Sequence, residues 1–278
     1  MKTLYSSPDR PGSSKPSLLQ HLQFLPWQHA MLLATVAILL SACQAWRDTQ
    51  QAGRRGETPL PLVFETYIDD RGMALSVHFE AGKSFNHPLM AIWIEDLDSN
   101  YIQTLYVAQS IAEGVFRHGD ASTGRWLPGP IRRPAALPYW GHQRGIQAAD
   151  GLYIPSQEDP MPDALTGATP KGDFTLHTNA PSNITTPFRV LLEINQSWDW
   201  NHHWTNNKFP GDEDYMTSSQ PAVVYQAIVD PGSSQKEIWM TPIGHSHWSG
   251  KTGELFTDLN TLTTALDIAG NITLRIEE

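Results

Sequence analysis

Short runs of β-branched and aromatic residues, separated by turn-forming residues, recur along most of this chain and constrain its fold more than any other feature. They predict strands at 60–68, 73–79, 89–97, 101–108, 173–178, 188–196, 222–229, 237–241 and 272–276. Helices are predicted only at 108–113 and at 258–266, the second with Asp258 in the capping position. Many short strands with little helix predict a mainly β protein, and a β-sandwich in particular.

The strand predicted at 89–97 lacks the alternation of apolar and polar residues that a strand with one solvent-exposed face shows. Apolar side chains occupy both sets of alternating positions, Met90, Ile92 and Ile94 in one set and Ala91 and Trp93 in the other. Because alternate residues point to opposite faces of a sheet, we expect this strand to be covered on both sides. The segments 69–72 and 98–100 have the composition of hairpin turns and are predicted to join the strands that flank them.

A long segment at about 109–171 interrupts the predicted strands. It is dense in proline, glycine and aromatic residues, and long connections of this kind usually either carry function or are disordered. The aromatic content favours an ordered insert. We therefore predict a single β-sandwich domain over 59–278 that contains this insert.

The N-terminal part of the chain contains one apolar run that ends near a cysteine. The run, at 31–40, is too short to span a bilayer and suits the core of a signal peptide. It leads to Leu-Ser-Ala and then Cys43, the single cysteine of the chain, and this sequence resembles the site of lipid attachment in bacterial lipoproteins. We predict a signal peptide over 1–42, lipidation at Cys43 and a polar tether over 43–58. Gln44 in place of an aspartate favours the periplasmic face of the outer membrane over the inner membrane.

Charge and hydropathy narrow the choice of partners. The formal net charge of −10, with no basic stripe, argues against a nucleic-acid-binding protein. No other segment approaches the apolar length of a membrane span, so the lipid anchor is the only membrane contact that we predict.

The insert ends in a motif that suggests a cofactor. The sequence Asp163-Ala-Leu-Thr166-Gly167-Ala168-Thr169 resembles the acceptor at which bacterial flavin transferases attach FMN to a threonine hydroxyl. Carriers of such motifs include the FMN-bearing subunits of sodium-pumping NADH:quinone reductases and their electron-bifurcating relatives. The resemblance implies covalent FMN on Thr169, a flavin transferase as partner and no substrate turnover by the chain itself. The alternative is a turn that leads into strand 173–178, within a non-catalytic binding or structural lipoprotein.

Side chains of the insert are candidates for contact with such a flavin. Aromatic rings could cover the isoalloxazine, and arginines could pair with the FMN phosphate. By position in the insert, the candidates are Trp126, Arg132, Arg133, Tyr139 and Trp140. For each of them, packing within the insert is the alternative.

Three further segments carry a common resemblance: 91–105 (AIWIEDLDSNYIQTL), the flavin-acceptor motif with Pro170, and 191–194 (LLEI). Together they resemble one bacterial family of secreted or periplasmic proteins, known as domain of unknown function 2271. The resemblance extends from about residue 60 to the C-terminus. It implies an immunoglobulin-like sandwich similar to the flagellar hook-capping fold, and a membrane-bound redox module as partner. The insert at 109–162 and the segment at 198–204 depart from shorter members of the family.

Histidine and tryptophan are concentrated in two further segments, 198–204 (WDWNHHW) and 244–248 (GHSHW). His245 and His247 would face the same side of a strand, and Asp199, His202 or His203 could complete a metal site, although no recognised ligand spacing is present. Aromatic packing with hydrogen-bonded imidazoles is a second interpretation. A sugar-binding face built from the tryptophans at 198, 200 and 204 is a third. No nucleophile, zincin or phosphate-loop motif is found.

Overall fold

The computed structural model describes residues 62–66, 72–162 and 165–277. It confirms a mainly β fold consistent with a sandwich, with 39% of the described residues in strands and 11% in helices. Cys43, the signal peptide and the tether lie outside the described residues, as do Asp163 and Ala164. The finer likeness to immunoglobulin or hook-capping domains stays a prediction.

The strands follow the predicted pattern closely, with four additional short ones. In chain order they are β1 (Leu62–Thr66), β2 (Ala74–Ala81), β3 (Leu89–Asp96), β4 (Tyr101–Ala108), β5 (Val115–Asp120), β6 (Leu127–Pro130), β7 (Thr166–Gly167), β8 (Phe174–Asn179), β9 (Phe188–Asn195), β10 (Val223–Val229), β11 (Glu237–Trp239), β12 (Thr241–His245) and β13 (Ala269–Ile276). The short helices are α1 (Gln109–Ala112), α2 (Pro138–Arg144), α3 (Glu213–Ser218) and a 3-10 turn at Thr264–Asp267.

Two mixed sheets carry most of these strands. The five-stranded sheet has the order β1-β8-β2-β13-β11, and the six-stranded sheet has the order β12-β10-β9-β3-β4-β7. Only β1 with β8 and β4 with β7 run parallel among these pairs. Strands β5 and β6 form a separate two-stranded ribbon within the insert.

The main core contains apolar side chains from both large sheets. Strand β3 contributes Met90, Ile92 and Ile94, while β2 and β8 of the other sheet contribute Val77, Phe79, Phe174 and Leu176. The rings of Phe79 and Phe174 stack at 5.0 Å between centroids. Burying alternate apolar residues of two sheets against each other is the arrangement of a sandwich.

A second core covers the opposite face of the six-stranded sheet. Ala91 and Trp93 of β3 are fully buried there, with Val107 of β4 and Leu191 of β9. Residues of the insert complete this core, notably Ile111 of α1 and Leu137 and Trp140 at the start of α2. The prediction that strand 89–97 is covered on both faces is therefore confirmed.

Two local predictions are wrong. Strands β1 and β2 do not form the hairpin predicted from the composition of 69–72, because β8 lies between them in the sheet. The helix predicted at 258–266 is absent, because Asp258 Oδ1 accepts the N–H of Asn260 in a local turn and only the 3-10 turn follows. The turn at 98–100 does close a hairpin between β3 and β4, with Ser99 at φ 65°.

No helix within the described ranges is long and apolar enough to cross a bilayer; α2 has seven residues.

Candidate functional site

The described part of the predicted flavin-acceptor motif lies at an edge of the six-stranded sheet. Thr166 and Gly167 form β7, which pairs in parallel with Val107 and Ala108 of β4. Ala168 is exposed and Thr169 is half-buried, immediately beyond the end of this strand. The position places Thr169 at the border between ordered sheet and surface.

Two aromatic rings hold the backbone before Thr169. The hydroxyl of Tyr106 donates to the carbonyl oxygens of Ala168, at 3.1 Å, and of Gly167, at 3.4 Å. A Cβ on Gly167 would lie 2.6 Å from Cε2 of Tyr106 and 3.1 Å from Cδ1 of Phe64. Glycine at 167 is thus required by close packing against these rings.

Trp126 and Arg132 lie in different settings within the insert. Trp126 is 68% exposed at the end of the loop that joins β5 to β6. The Arg132 guanidinium is engaged by Asp150, with Nε to Oδ2 at 2.6 Å, and by the carbonyl oxygens of Ile154 and Pro155. Arg132 therefore braces the loop that follows α2.

The other three candidate flavin contacts are engaged in hydrogen bonds or packing within the protein. Arg133 donates to Ser197 Oγ at 2.7 Å and to the Thr217 carbonyl at 2.8 Å, and burial lowers the pKa of its guanidinium to about 10. Tyr139 is buried against Trp93, and Trp140 is fully buried with its Nε1 donating to Thr104 Oγ1 at 2.9 Å. In this conformation neither Tyr139 nor Trp140 presents a face to a bound flavin, because both belong to the second core.

The structure contains a buried carboxyl group, with hydrogen-bond donors around it, that the sequence did not suggest. Glu193 of β9 is fully buried beneath α2, where its carboxylate accepts the N–H groups of Tyr139, at 3.2 Å, and Trp140, at 2.8 Å. Burial raises the pKa of Glu193 to about 8, against the lowering effect of these donors and of the Ser246 hydroxyl. The only signal in the sequence is a carboxylate with apolar neighbours on both sides within β9, at 190–194.

A second carboxylate lies on the same face of the sheet. Glu95 of β3 accepts the indole N–H of Trp93 at 2.8 Å, and its register partner on β9 is Arg189. Burial raises the pKa of Glu95, while the bond from Trp93 and the charge of Arg189 lower it.

The histidines do not assemble the metal site that was one interpretation of the sequence. His245 ends β12 and is buried, with its ring stacked on Phe256 at 5.3 Å, whereas His247 follows the strand and stacks on Trp248 at 4.2 Å. His202 and His203 are exposed. Over 62–66, 72–162 and 165–277, no three His, Cys, Asp or Glu side chains converge where an ion could bind. Aromatic packing accounts for His245 and His247.

The three tryptophans of 198–204 divide into two groups. Trp204 is 5% exposed and packs against Trp248, Tyr215 and His245, so it cannot belong to an exposed sugar-binding face. Trp198 and Trp200 are 58% and 50% exposed, and their rings meet edge to face with centroids 6.4 Å apart.

No family model, no curated protein and no solved structure matches this chain. The resemblance to the domain of unknown function 2271 family therefore stays a prediction.

Proposed function

We propose that the chain is a lipid-anchored periplasmic electron carrier with FMN covalently attached to Thr169. The observation that carries the proposal is the position of the acceptor residue. Thr169 is half-buried, two residues beyond the end of the edge strand β7 and directly after exposed Ala168, so a transferase can approach it at the surface of the sheet. Loops fixed by a rigid scaffold are where modified and functional residues concentrate.

The attachment is a phosphoryl transfer. The Thr169 oxygen attacks the FMN phosphorus of a flavin dinucleotide, a phosphoester bond forms, and the nucleoside monophosphate leaves. The hydroxyl proton passes to a base of the transferase. The chain then supplies position to the flavin, and the isoalloxazine ring exchanges electrons between a membrane-bound redox module and a second acceptor.

The bonds from Tyr106 give the chain a means to position that flavin. They fix two successive carbonyl groups directly before Thr169, so the attachment point is tied to the buried strand β4. Fixing the point of attachment limits how far a tethered ring can move, and this favours electron transfer over a defined distance.

A non-catalytic binding or structural lipoprotein is the second candidate, and a specific observation favours it. Thr166 and Gly167 have a structural role as β7, and the contacts of Gly167 with Tyr106 and Phe64 explain this glycine without a flavin. Under this alternative Thr169 is an ordinary residue of the connection to β8.

Intact-mass measurement distinguishes the two candidates. The full chain is produced in the periplasm together with a flavin transferase of proven activity, as wild type, Thr169→Ala and Thr169→Ser. We expect the wild type to gain the mass of one FMN less one water, and Thr169→Ala to gain nothing. Thr169→Ser keeps a hydroxyl at the position and should be modified.

Thr175→Ala is the matched control, since it removes a partly buried threonine of β8 outside the motif. It should gain the same mass as the wild type. An unmodified wild type beside a fully modified reference acceptor would reject the carrier function and leave the binding or structural module. Fractionation of the same cells tests the lipid anchor, because Cys43→Ala should release the chain from the membrane fraction.

A further inference from the structure

We infer that Trp198 and Trp200 form a binding platform for the ring of a neutral carbohydrate. The starting observation is a tryptophan backbone outside its preferred conformation. Trp198 has φ 63°, in the left-handed region that bulky residues rarely adopt. Its side chain is nevertheless 58% exposed, so packing of the indole in a core is not what maintains this conformation. Strain of this kind persists where surrounding contacts impose it, and it is concentrated at binding sites.

Contacts on both sides fix the backbone of the pair. The N–H of Trp198 donates to the Thr217 carbonyl at 3.0 Å, and Arg133 binds the preceding Ser197. On the other side, Asn201 Nδ2 donates to the Thr261 carbonyl at 2.9 Å and to Gln220 Oε1 at 3.0 Å. A platform held in place before binding loses little conformational entropy when a ligand arrives.

The residue between the two tryptophans points inward. Asp199 is hydrogen-bonded to the Thr264 hydroxyl, and its backbone bonds to Ser218 and Gln220. Inward anchoring of Asp199 leaves the two flanking indoles half-exposed, with their ring planes at 79° to each other. Two exposed rings at this angle form an apolar corner with an accessible ring surface on each wall.

The side chains that follow Trp200 in the chain suit a neutral, hydroxyl-rich ligand. The exposed side chains that continue the chain from Trp200 are imidazoles, a hydroxyl and amides: His202, His203, Thr205, Asn206 and Asn207. None of these carries a fixed charge, and they offer both donors and acceptors. The C–H face of a pyranose fits the electron-rich face of an indole, and its hydroxyl groups suit amide and imidazole partners. The next cation along the chain, Lys208, lies over the ring of Trp204 at 4.1 Å, and the net charge of −10 would oppose the approach of an anionic ligand.

Tryptophan fluorescence titration of the full chain in detergent tests the inference. The probes are cellohexaose, maltohexaose and chitohexaose, which present neutral pyranose rings in different linkages. We expect at least one to give a saturable change in emission. In Trp200→Ala, binding should weaken by about tenfold or more, the effect of losing about 1.4 kcal/mol of contact. Trp198→Ala should weaken binding similarly.

Trp239→Ala is the matched control, because Trp239 is also 58% exposed but lies on β11, at the far edge of the five-stranded sheet. It should bind as the wild type does. The thermal unfolding midpoint of each variant establishes that it is folded. The inference is overturned if none of the three oligosaccharides saturates, or if binding survives loss of both rings in the Trp198→Ala/Trp200→Ala chain. Emission changes caused only by phosphatidylcholine vesicles would also overturn it and assign the corner to a lipid surface. None of these outcomes depends on flavin attachment.

Discussion

The two faces of the six-stranded sheet are built by neighbouring residues of the same strands, yet they use different physical interactions. The face toward the five-stranded sheet carries Ile92 and Ile94 of β3 and Leu192 of β9, all fully buried and apolar. The face toward the insert carries Trp93, together with two carboxylates, Glu95 and Glu193.

The difference teaches how an irregular insert can be held in one place. Apolar contacts are non-directional, so they fix the separation of two layers better than their registration. On the insert face, Glu193 accepts the N–H groups of Tyr139 and Trp140, and Thr104 accepts the indole N–H of Trp140. These bonds have defined geometry and join α2 to two different strands. Both faces bury apolar side chains, and the insert face adds these directional bonds, so we expect the bonds to fix the position of α2 on the sheet.

The largest expected effect comes from truncating the sandwich face. Leu192→Ala removes three carbons from the main core and should lower the free energy of unfolding by about 2–5 kcal/mol. Urea denaturation measures the loss, and it should be the same at about pH 5 and pH 8, since no charge changes. Ile228→Ala is the control on the adjacent strand β10, because Ile228 is 50% exposed. A loss as large in the control, or no loss in Leu192→Ala, would break the comparison.

A smaller effect with a distinctive pH dependence is expected on the insert face. Glu193 has a pKa of about 8 in the folded chain, above its ordinary value of 4.5. An acid with a raised pKa in the folded state binds its proton more tightly there. Its stabilising contribution is complete below the unfolded pKa and is lost as pH rises through the folded pKa. Between these values, wild-type stability should fall by up to about 1.4 kcal/mol per pH unit from this group.

Glu193→Gln should remove that slope and cost about 1–3 kcal/mol at low pH, because an amide cannot accept both backbone N–H groups equally well. Urea midpoints at intervals from about pH 5 to 8 measure the slope. Glu80→Gln makes the same chemical change at an exposed side chain that bonds Asn271, and it should leave the wild-type slope intact. Identical slopes in wild type and Glu193→Gln would show that Glu193 does not titrate as the structure indicates.

The strands were predictable because their signal is local. Five or six consecutive residues of β3 were enough to predict that both of its faces are buried. That prediction does not require knowledge of which distant strands pair with β3. The wrong predictions concern partners far along the chain. The turn at 69–72 has hairpin composition, but β1 instead pairs in parallel with β8, with Leu62 opposite Phe174. A local pattern cannot distinguish these two pairings.

The candidate sites show the same limit. An edge position for Thr169 and exposure of Trp198 and Trp200 are compatible with the sequence, yet Trp140 was a candidate flavin contact and is buried. Its two N–H groups bond to the Thr104 hydroxyl and the Glu193 carboxylate, partners on two strands that no spacing reveals. The helix predicted at 258–266 failed for a related reason, since Thr263 and Thr264 bond to Gln220 from another part of the chain.

The smallest expected change in stability comes from removing a single hydrogen bond between the sheet and the insert, from Trp140 to Thr104. Thr104→Val keeps the shape of the side chain but removes the acceptor for Trp140 Nε1, which would then be a buried donor without that partner. Val also removes the contact of Oγ1 with the Tyr101 hydroxyl at 2.8 Å, so the single variant does not measure the indole bond alone. Trp140→Phe removes the donor and also changes packing.

A double-mutant cycle separates these contributions. Unfolding free energies of wild type, Thr104→Val, Trp140→Phe and the double variant should give a coupling of about 1 kcal/mol. Losses of the Tyr101 contact and of indole packing occur in both halves of the cycle and cancel. A coupling near zero would mean that the indole bond adds no specificity, and that shape alone places α2 on the sheet. Coupling of the expected size would instead show that the bond from Trp140 to Thr104 helps to hold α2 in one position on the sheet.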